Sequence, residues 1–354
     1  MKIAMVSTPF ISVPPEKYGG TELVVYELVE GLAANGHDVT LFATGGASTA
    51  AELRFLYREP QWPPCPLTEL NHVSWAVSEI LADGTFDIVH VHSAFALTAL
   101  RTFPGLPLVY TVHHAREEEF SDFYRYFPDA YFIAISANQK RLEVPFPRCD
   151  VIHHGLDPRR YEWSAEPGDH VCFLARFARI KGPHVAIDAA EKAGVPIQLA
   201  GETHPSEREF AEKEVVPRLE HPRVAHVGCL DHRGKVALLQ SSRALLAPID
   251  WEEPFGLFLI EAMLCGCPPV AFPRGSVPEI VEPGVTGFVV ETADEMAEAI
   301  RPGGVVDSFD RERCRERAAE RFSRSRFVSD HERTYAKVQA NRAGKMVHPE
   351  IEGV

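Results

Sequence analysis

Long apolar runs are missing from this 354-residue chain, and no stretch of about 18 residues could cross a membrane as a helix. No basic and apolar leader precedes the first apolar segment, Lys2-Ile3-Ala4-Met5-Val6, so a cytoplasmic protein is expected. The seven cysteines are odd in number and scattered, with only Cys265 and Cys267 close together, on either side of Gly266. Without a Cys-x-x-Cys pair there is no framework for disulfides and no recognisable zinc site, and a reduced interior follows. Positive charge is short as well: 36 Lys and Arg face 50 Asp and Glu for a net charge of −14, and the first 168 residues hold 12 against 21. Such a balance repels phosphate backbones and anionic lipid except at local basic patches, so nucleic acid is not the expected partner. No Gly-x-Gly-x-x-Gly follows the first strand and no Gly-x4-Gly-Lys-Ser/Thr occurs anywhere, which removes the main support for dinucleotide-dependent dehydrogenases and P-loop proteins.

What is present is a rhythm of short apolar runs and helical stretches. Residues 3–6, 39–43, 87–91, 108–112, 130–135 and 150–152 read as buried strands, and 21–35 as a helix ended by Gly36 with Thr21 as its cap. Strands that are apolar at nearly every residue imply a parallel sheet covered on both faces. After Asp157-Pro158 a polar stretch ends in Glu166-Pro167-Gly168-Asp169. The rhythm then restarts, with strands expected at 170–174, 197–200, 224–227, 244–247 and 269–271. A chain of this length exceeds the ~250–300 residues that one core usually serves. Two Rossmann-like, doubly wound α/β domains are therefore expected, residues 1–160 and 167–322, facing across a cleft at the carboxyl ends of their strands. One long helical stretch over about 310–341 is expected to follow, its residues 323–343 crossing back toward the first domain, with a frayed tail from Gly344. Between Arg311 and Arg326 lie seven Arg and three Glu at helical spacings. They read as a solvated helix face, and a peripheral membrane contact is left open.

The run Glu253-Pro254-Phe255-Gly256-Leu257-Phe258-Leu259-Ile260-Glu261 is the most informative segment. With a helix from about Phe255 to Gly266, Glu253 lies just ahead of the N-terminus and Glu261 nearly two turns inside, roughly 12 Å away at ~1.5 Å per residue. Unpaired N–H groups lie between the two carboxylates. That arrangement suits a diphosphate at the helix start, with a polyol on each carboxylate, which describes a nucleoside diphosphate sugar. Arg176 and Lys181, where a strand runs into a loop, supply cations for the diphosphate. Gly19-Gly20-Thr21-Glu22 opens the first helix and lets backbone N–H groups approach an anion.

In their order and spacing these segments, together with Glu261-Ala262-Met263, Cys265-Gly266-Cys267-Pro268, Gly275-Ser276-Val277-Pro278-Glu279 and Gly284-Val285-Thr286-Gly287-Phe288, resemble a GT-B fold retaining glycosyltransferase of family 4, the group 1 glycosyltransferases. The resemblance spans nearly the whole chain. It implies that Arg176 and Lys181 hold the donor diphosphate, that Glu253 binds sugar hydroxyls and Glu261 the ribose, and that the amides of Phe255, Gly256 and Leu257 meet phosphates and sugar. By the same resemblance Gly19 and Gly20 close over the phosphates, and His113 lies beside the anomeric centre. His114 replaces the usual Gly, Asp or Asn, which leaves open which of the two imidazoles faces that centre. His154 takes the place of Asn in the interdomain turn and reads as structural. The implied donor is a UDP- or GDP-sugar and the acceptor bears a hydroxyl, with no separate cofactor. No Asp-x-Asp occurs, so no metal ligands are expected and Arg176, Lys181 and the helix N-terminus would carry the leaving-group charge. A sugar-nucleotide epimerase or a non-catalytic nucleotide-sugar-binding protein of the same fold is the alternative.

Overall fold

The computed structural model describes residues 1–347 and divides into two compact units, Met1–Gly155 with the segment from Arg324 onward, and Leu156–Ser323. In the first unit seven strands form one parallel sheet: β1 (Lys2–Val6), β2 (Asp38–Ala43), β3 (Glu52–Phe55), β4 (Ile88–Val91), β5 (Leu108–Val112), β6 (Tyr131–Ala134) and β7 (Cys149–Val151). Their spatial order is β3-β2-β1-β4-β5-β6-β7. Ile3, Ala4, Met5 and Val6 are fully buried, as a strand covered by helices on both faces must be. The edge strand β3, Glu-Leu-Arg-Phe, escapes a reading based on apolar runs because charged residues interrupt it, as edge strands commonly allow.

The second unit repeats the plan with β8 (Val171–Leu174), β9 (Ile197–Ala200), β10 (Val224–Gly228), β11 (Leu245–Ala247), β12 (Pro269–Ala271) and β13 (Phe288–Val289) in the order β10-β9-β8-β11-β12-β13. Every pair in both sheets is parallel. In each sheet the strand order reverses once, between β1 and β4 and between β8 and β11. Ligands of open α/β sheets bind where that reversal leaves a crevice at the carboxyl ends of the strands.

Several boundaries differ from the sequence reading. The first helix runs Gly20–Ala34 with Gly19 as its cap, so Thr21 lies inside the first turn and caps nothing. Residues 156–166 belong to the second unit, because the Leu156 N–H donates to Phe322 O and Leu156 bridges Ser323. The expected single C-terminal helix is two, Arg311–Phe322 in the second unit and Arg324–Val347 in the first, broken at Ser323, which is extended. Helix continues past Gly344 to Val347, and the rest of the tail expected to fray, 348–354, lies outside the described residues.

The arginine-rich stretch is a solvated face only in part: Glu312, Arg313, Glu316 and Glu320 are exposed, but other arginines turn inward. Arg311 donates to the Ser164, Gln240 and Ser242 carbonyls, Arg315 to those of Pro158, Tyr161 and Leu264, and Arg321 to those of Glu279 and Ile280. Gln240, Leu264 and Ile280 lie in the last turns of the helices His232–Ser241, Leu257–Leu264 and Val277–Ile280. Carbonyls there have no acceptor role left within their own helix and need donors from elsewhere.

Candidate functional site

The reversal point of the second sheet gathers the residues singled out by sequence. Arg176 follows β8 by two residues, and Glu253 lies in the loop after β11. The Asp250 N–H donates to Ile180 O at 2.9 Å and ties that loop to the turn Arg179–Lys181. Arg176 makes no ion pair or hydrogen bond among the described residues, and its Nε is buried without an acceptor. A buried guanidinium nitrogen lacking a partner is costly unless a ligand supplies one.

Lys181 is buried and forms a close ion pair with Glu253 Oε2, while Trp251 Nε1–H donates to the same oxygen at 3.0 Å. Its ammonium sits 4.7 Å from the centre of the Trp251 ring and 5.7 Å from that of Phe258. The helix after Glu253 runs Leu257–Leu264, two residues shorter at each end than expected, with Cys265 capping its end and Gly256, at φ 82° and ψ 62°, its start. Only glycine takes that backbone conformation without strain. The amides of Gly256 and Leu257 donate to nothing among the described residues, which leaves the helix start open to an anion. Gly275 fixes the loop from the other side: a Cβ there would lie 2.3 Å from both N and O of Glu253, and Ser276 N–H donates to Glu253 O at 2.9 Å. Ser276 Oγ–H also donates to Phe255 O at 2.7 Å.

Glu261 is buried inside the helix, where Lys235 Nζ reaches its Oε1 at 2.6 Å and Tyr161 O–H at 3.4 Å. Lys235, Tyr161 and Trp251 were not read from sequence. Trp251 is adjacent to the Glu253 motif, but Lys235 is 26 residues from Glu261 on another helix, and no periodicity connects them.

The first unit places Gly19 buried and Gly20 exposed at the start of Gly20–Ala34. A Cβ on Gly19 would meet Pro15 Cβ at 2.8 Å and the Glu22 carboxylate at 3.0 Å. Burial raises the Glu22 carboxyl above its ordinary range against the hydrogen bond it accepts from Thr8 Oγ1 at 2.6 Å. His113 follows β5, and its Nε2 lies 2.7 Å from Nδ1 of His92, which follows β4. His154 stacks on His113 with ring centres 5.6 Å apart. The neighbouring His114 has both nitrogens occupied: Nδ1 lies 2.7 Å from Ala115 O and Nε2 2.6 Å from Tyr124 Oη. His113 is half-buried, and its Nδ1 makes no hydrogen bond among the described residues.

Comparison with known proteins interprets these arrangements. Residues 18–160 match the family described as Glycosyltransferase Family 4, and residues 162–321 match Glycosyl transferases group 1. The chain belongs to the group 1 glycosyltransferases. It is a hexosyltransferase of the GT-B fold. This glycosyltransferase is 26% identical over 389 residues to a protein of Mycobacterium tuberculosis (strain CDC 1551 / Oshkosh) named glycogen synthase, covering 93% of this chain and 91% of that one. Sucrose-phosphate synthase from Thermosynechococcus elongatus superposes with a TM-score of 0.80 at 20% identity, over 96% of this chain and 100% of the other. Anabaena HepE, solved with UDP-glucose, gives 0.72 at 22% identity over 95% and 100%. Both likenesses concern the fold. Among the described residues of the glycosyltransferase no helix is long and apolar enough to cross a membrane, and all seven cysteines are free thiols.

Proposed function

We propose that this glycosyltransferase moves a hexosyl group from a UDP- or GDP-linked sugar to a hydroxyl acceptor, with retention of anomeric configuration and without a metal ion. The observation that carries the reading is Arg176, whose buried Nε has no acceptor at the reversal point of the second sheet, on the same strand-to-helix connection as Lys181, which pairs with Glu253 ahead of the open helix start at Gly256. A diphosphate supplies the missing acceptor. Arg176, Lys181 and the Gly256 and Leu257 amides bind it and stabilise the charge that grows as it leaves. When Lys181 turns to the phosphate, Glu253 accepts hydrogen bonds from sugar hydroxyls. Glu261, steadied by Lys235, takes the ribose. The UDP-glucose held by HepE agrees with this donor class.

In the reaction the anomeric carbon–phosphate oxygen bond breaks and the acceptor oxygen bonds that carbon on the same face. The acceptor proton passes to the departing phosphate oxygen. Glu253 is assigned to hydroxyls, so no carboxylate is assigned beneath the anomeric carbon to form a covalent intermediate. His113 contacts the transferred sugar, and Gly19 and Gly20 let backbone approach the phosphates.

The test is release of UDP from UDP-glucose and of GDP from GDP-mannose, with and without hydroxyl acceptors, in excess chelator. Acceptor-dependent release and an equatorial anomeric proton in the product, as in the α-linked donor, support the reading. Release abolished by chelator and restored by magnesium removes the metal-free mechanism, and an inverted product removes retention. Interconversion of donor sugars without nucleotide release points to an epimerase.

A further inference from the structure

The carboxyl ends of β1, β4 and β5 are neighbours in the first sheet, and each carries a side chain in one short series. Met5 lies on β1, His92 follows β4 and His113 follows β5. His92 Nε2 is 3.1 Å from Met5 Sδ, and His92 Nδ1 is 2.7 Å from His113 Nε2. His92 is buried, and its ring is stacked on His90 with centres 4.5 Å apart. His90 is itself held on both sides, by Tyr335 Oη at 2.7 Å and Thr111 Oγ1 at 2.8 Å, so neither of its nitrogens competes for His92.

A thioether sulfur carries no hydrogen and can only accept. The proton on His92 must therefore sit on Nε2, since the other tautomer would press a nitrogen lone pair against sulfur lone pairs. His92 Nδ1 is then bare. At 2.7 Å from another ring nitrogen it must accept, so the hydrogen between the two imidazoles belongs to His113 Nε2. A neutral imidazole has only one N–H, which leaves His113 Nδ1 as a lone pair. Burial keeps both rings neutral near pH 7, lowering His113 to about 3 and His92 well below its ordinary value.

We infer that Met5 and His92 are positioning residues which fix His113 in the Nε2–H tautomer and so make its open Nδ1 a hydrogen-bond acceptor. On the proposed function, which this inference deepens, Nδ1 accepts from a hydroxyl of the transferred sugar. An acceptor at that place favours a hydroxyl-bearing hexosyl group and opposes a uronosyl carboxylate, which would bring lone pair to lone pair. A sulfur two residues removed along a hydrogen-bond series thus sets the polarity of a group that meets substrate.

The test is long-range proton–nitrogen correlation on the full chain labelled with nitrogen-15 in histidine, at pH 7.5, with His113 identified from the spectrum of His113→Gln. A pyrrole-type Nε2 and a pyridine-type Nδ1 at both His92 and His113 are expected; an Nδ1–H tautomer or a doubly protonated ring at His113 overturns the assignment. Met5→Leu removes the sulfur acceptor, and a mixed tautomer at His113 is expected, whereas an unchanged single tautomer eliminates the role of Met5. His92→Asn keeps an amide oxygen near the place of Nδ1 and is expected to preserve the His113 tautomer, while His92→Leu loses it. With UDP-glucose and UDP-glucuronate as donor probes, Met5→Leu is expected to narrow the preference for glucose several-fold, and His92→Asn to restore it relative to His92→Leu. An absence of turnover with either nucleotide sugar counts against the proposed donor class and leaves the tautomer result standing by itself.

Discussion

Arg176 and Lys181 are both cations at the same sheet reversal, yet they differ in what they already hold. Lys181 is engaged with Glu253, whereas Arg176 has no protein partner among the described residues. Arg176→Ala is therefore expected to lower kcat/KM for donor about 100-fold or more, in the range found when a charge-stabilising donor is removed. Its thermal midpoint should not fall, and a lowered midpoint with full activity would argue that Arg176 is structural. Lys235 behaves in the opposite way. Removing it leaves the buried Glu261 carboxylate with Tyr161 as its one hydrogen-bond partner among the described residues, and Lys235→Ala should cost about 3–5 kcal/mol by denaturant unfolding, the usual penalty for an uncompensated buried charge. The sequence exposed Arg176, Lys181, Glu253 and Glu261 because their motifs are local. Lys235, Tyr161 and His92 stayed hidden because only the tertiary fold brings them to their partners, and nothing in the spacing of a chain records which lysine will find which glutamate.

At the scale of elements, the helix Arg311–Phe322 ties three others by their ends. Its Arg311, Arg315 and Arg321 donate to carbonyls in or beside the last turns of His232–Ser241, Leu257–Leu264 and Val277–Ile280. Arg315→Ala removes donors to three carbonyls at once, and a loss of about 3 kcal/mol is expected in urea unfolding from charge-assisted bonds of 1.5–3 kcal/mol each, net of rehydration. Because Leu257–Leu264 starts at the open amides of Gly256 and Leu257 and carries Glu261, weaker UDP binding should accompany that loss. Arg313→Ala, on the same helix but exposed and without a side-chain hydrogen bond or ion pair among the described residues, provides the comparison, and an equal loss there would refute the end-tying role. Strands buried on both faces were legible as apolar runs, whereas β3 and β13 were not, one being charged at an edge and the other only two residues long. The arginines misled the sequence reading because alternating Arg and Glu has the same pattern whether the guanidinium meets water or a carbonyl.

At the scale of the whole molecule, the first unit concentrates buried neutral histidines. Burial holds His72 and His331 at about 4 and His113 at about 3, while His90, His92 and His154 also lie well below their ordinary value. Each folded value is below the ~6.5 of an unfolded histidine, so below that pH the unfolded chain binds more protons than the folded one. The stabilisation is complete above about pH 6.5 and drains as pH falls toward 4, with a limiting slope of ~1.4 kcal/mol per pH unit for each such histidine. Glu22 and Glu69, whose carboxyls burial raises, work in the other direction below their own range, but they are two groups against six. The urea midpoint should therefore drop steadily between pH 7.5 and 5, and His331→Phe should shallow the decline. Equal midpoints at pH 7.5 and 5 would exclude this account.

The helix Arg324–Val347 belongs to the same unit as β1, and it reaches that unit's interior at several places. Tyr335 holds His90, Arg324 pairs with the buried Glu27, and Phe327 packs edge-on against His154. Gly31 permits the approach, since a Cβ there would fall 2.3 Å from Val328 Cγ2. During translation, then, the sheet made ahead of Leu156–Ser323 must wait for a helix made after that segment, while Leu156–Ser323 leaves the ribosome with all of its own strands and can close first. Synthesis order and assembly order run opposite ways, and a nascent chain arrested before Arg324 should show a protease-resistant middle flanked by a digestible beginning.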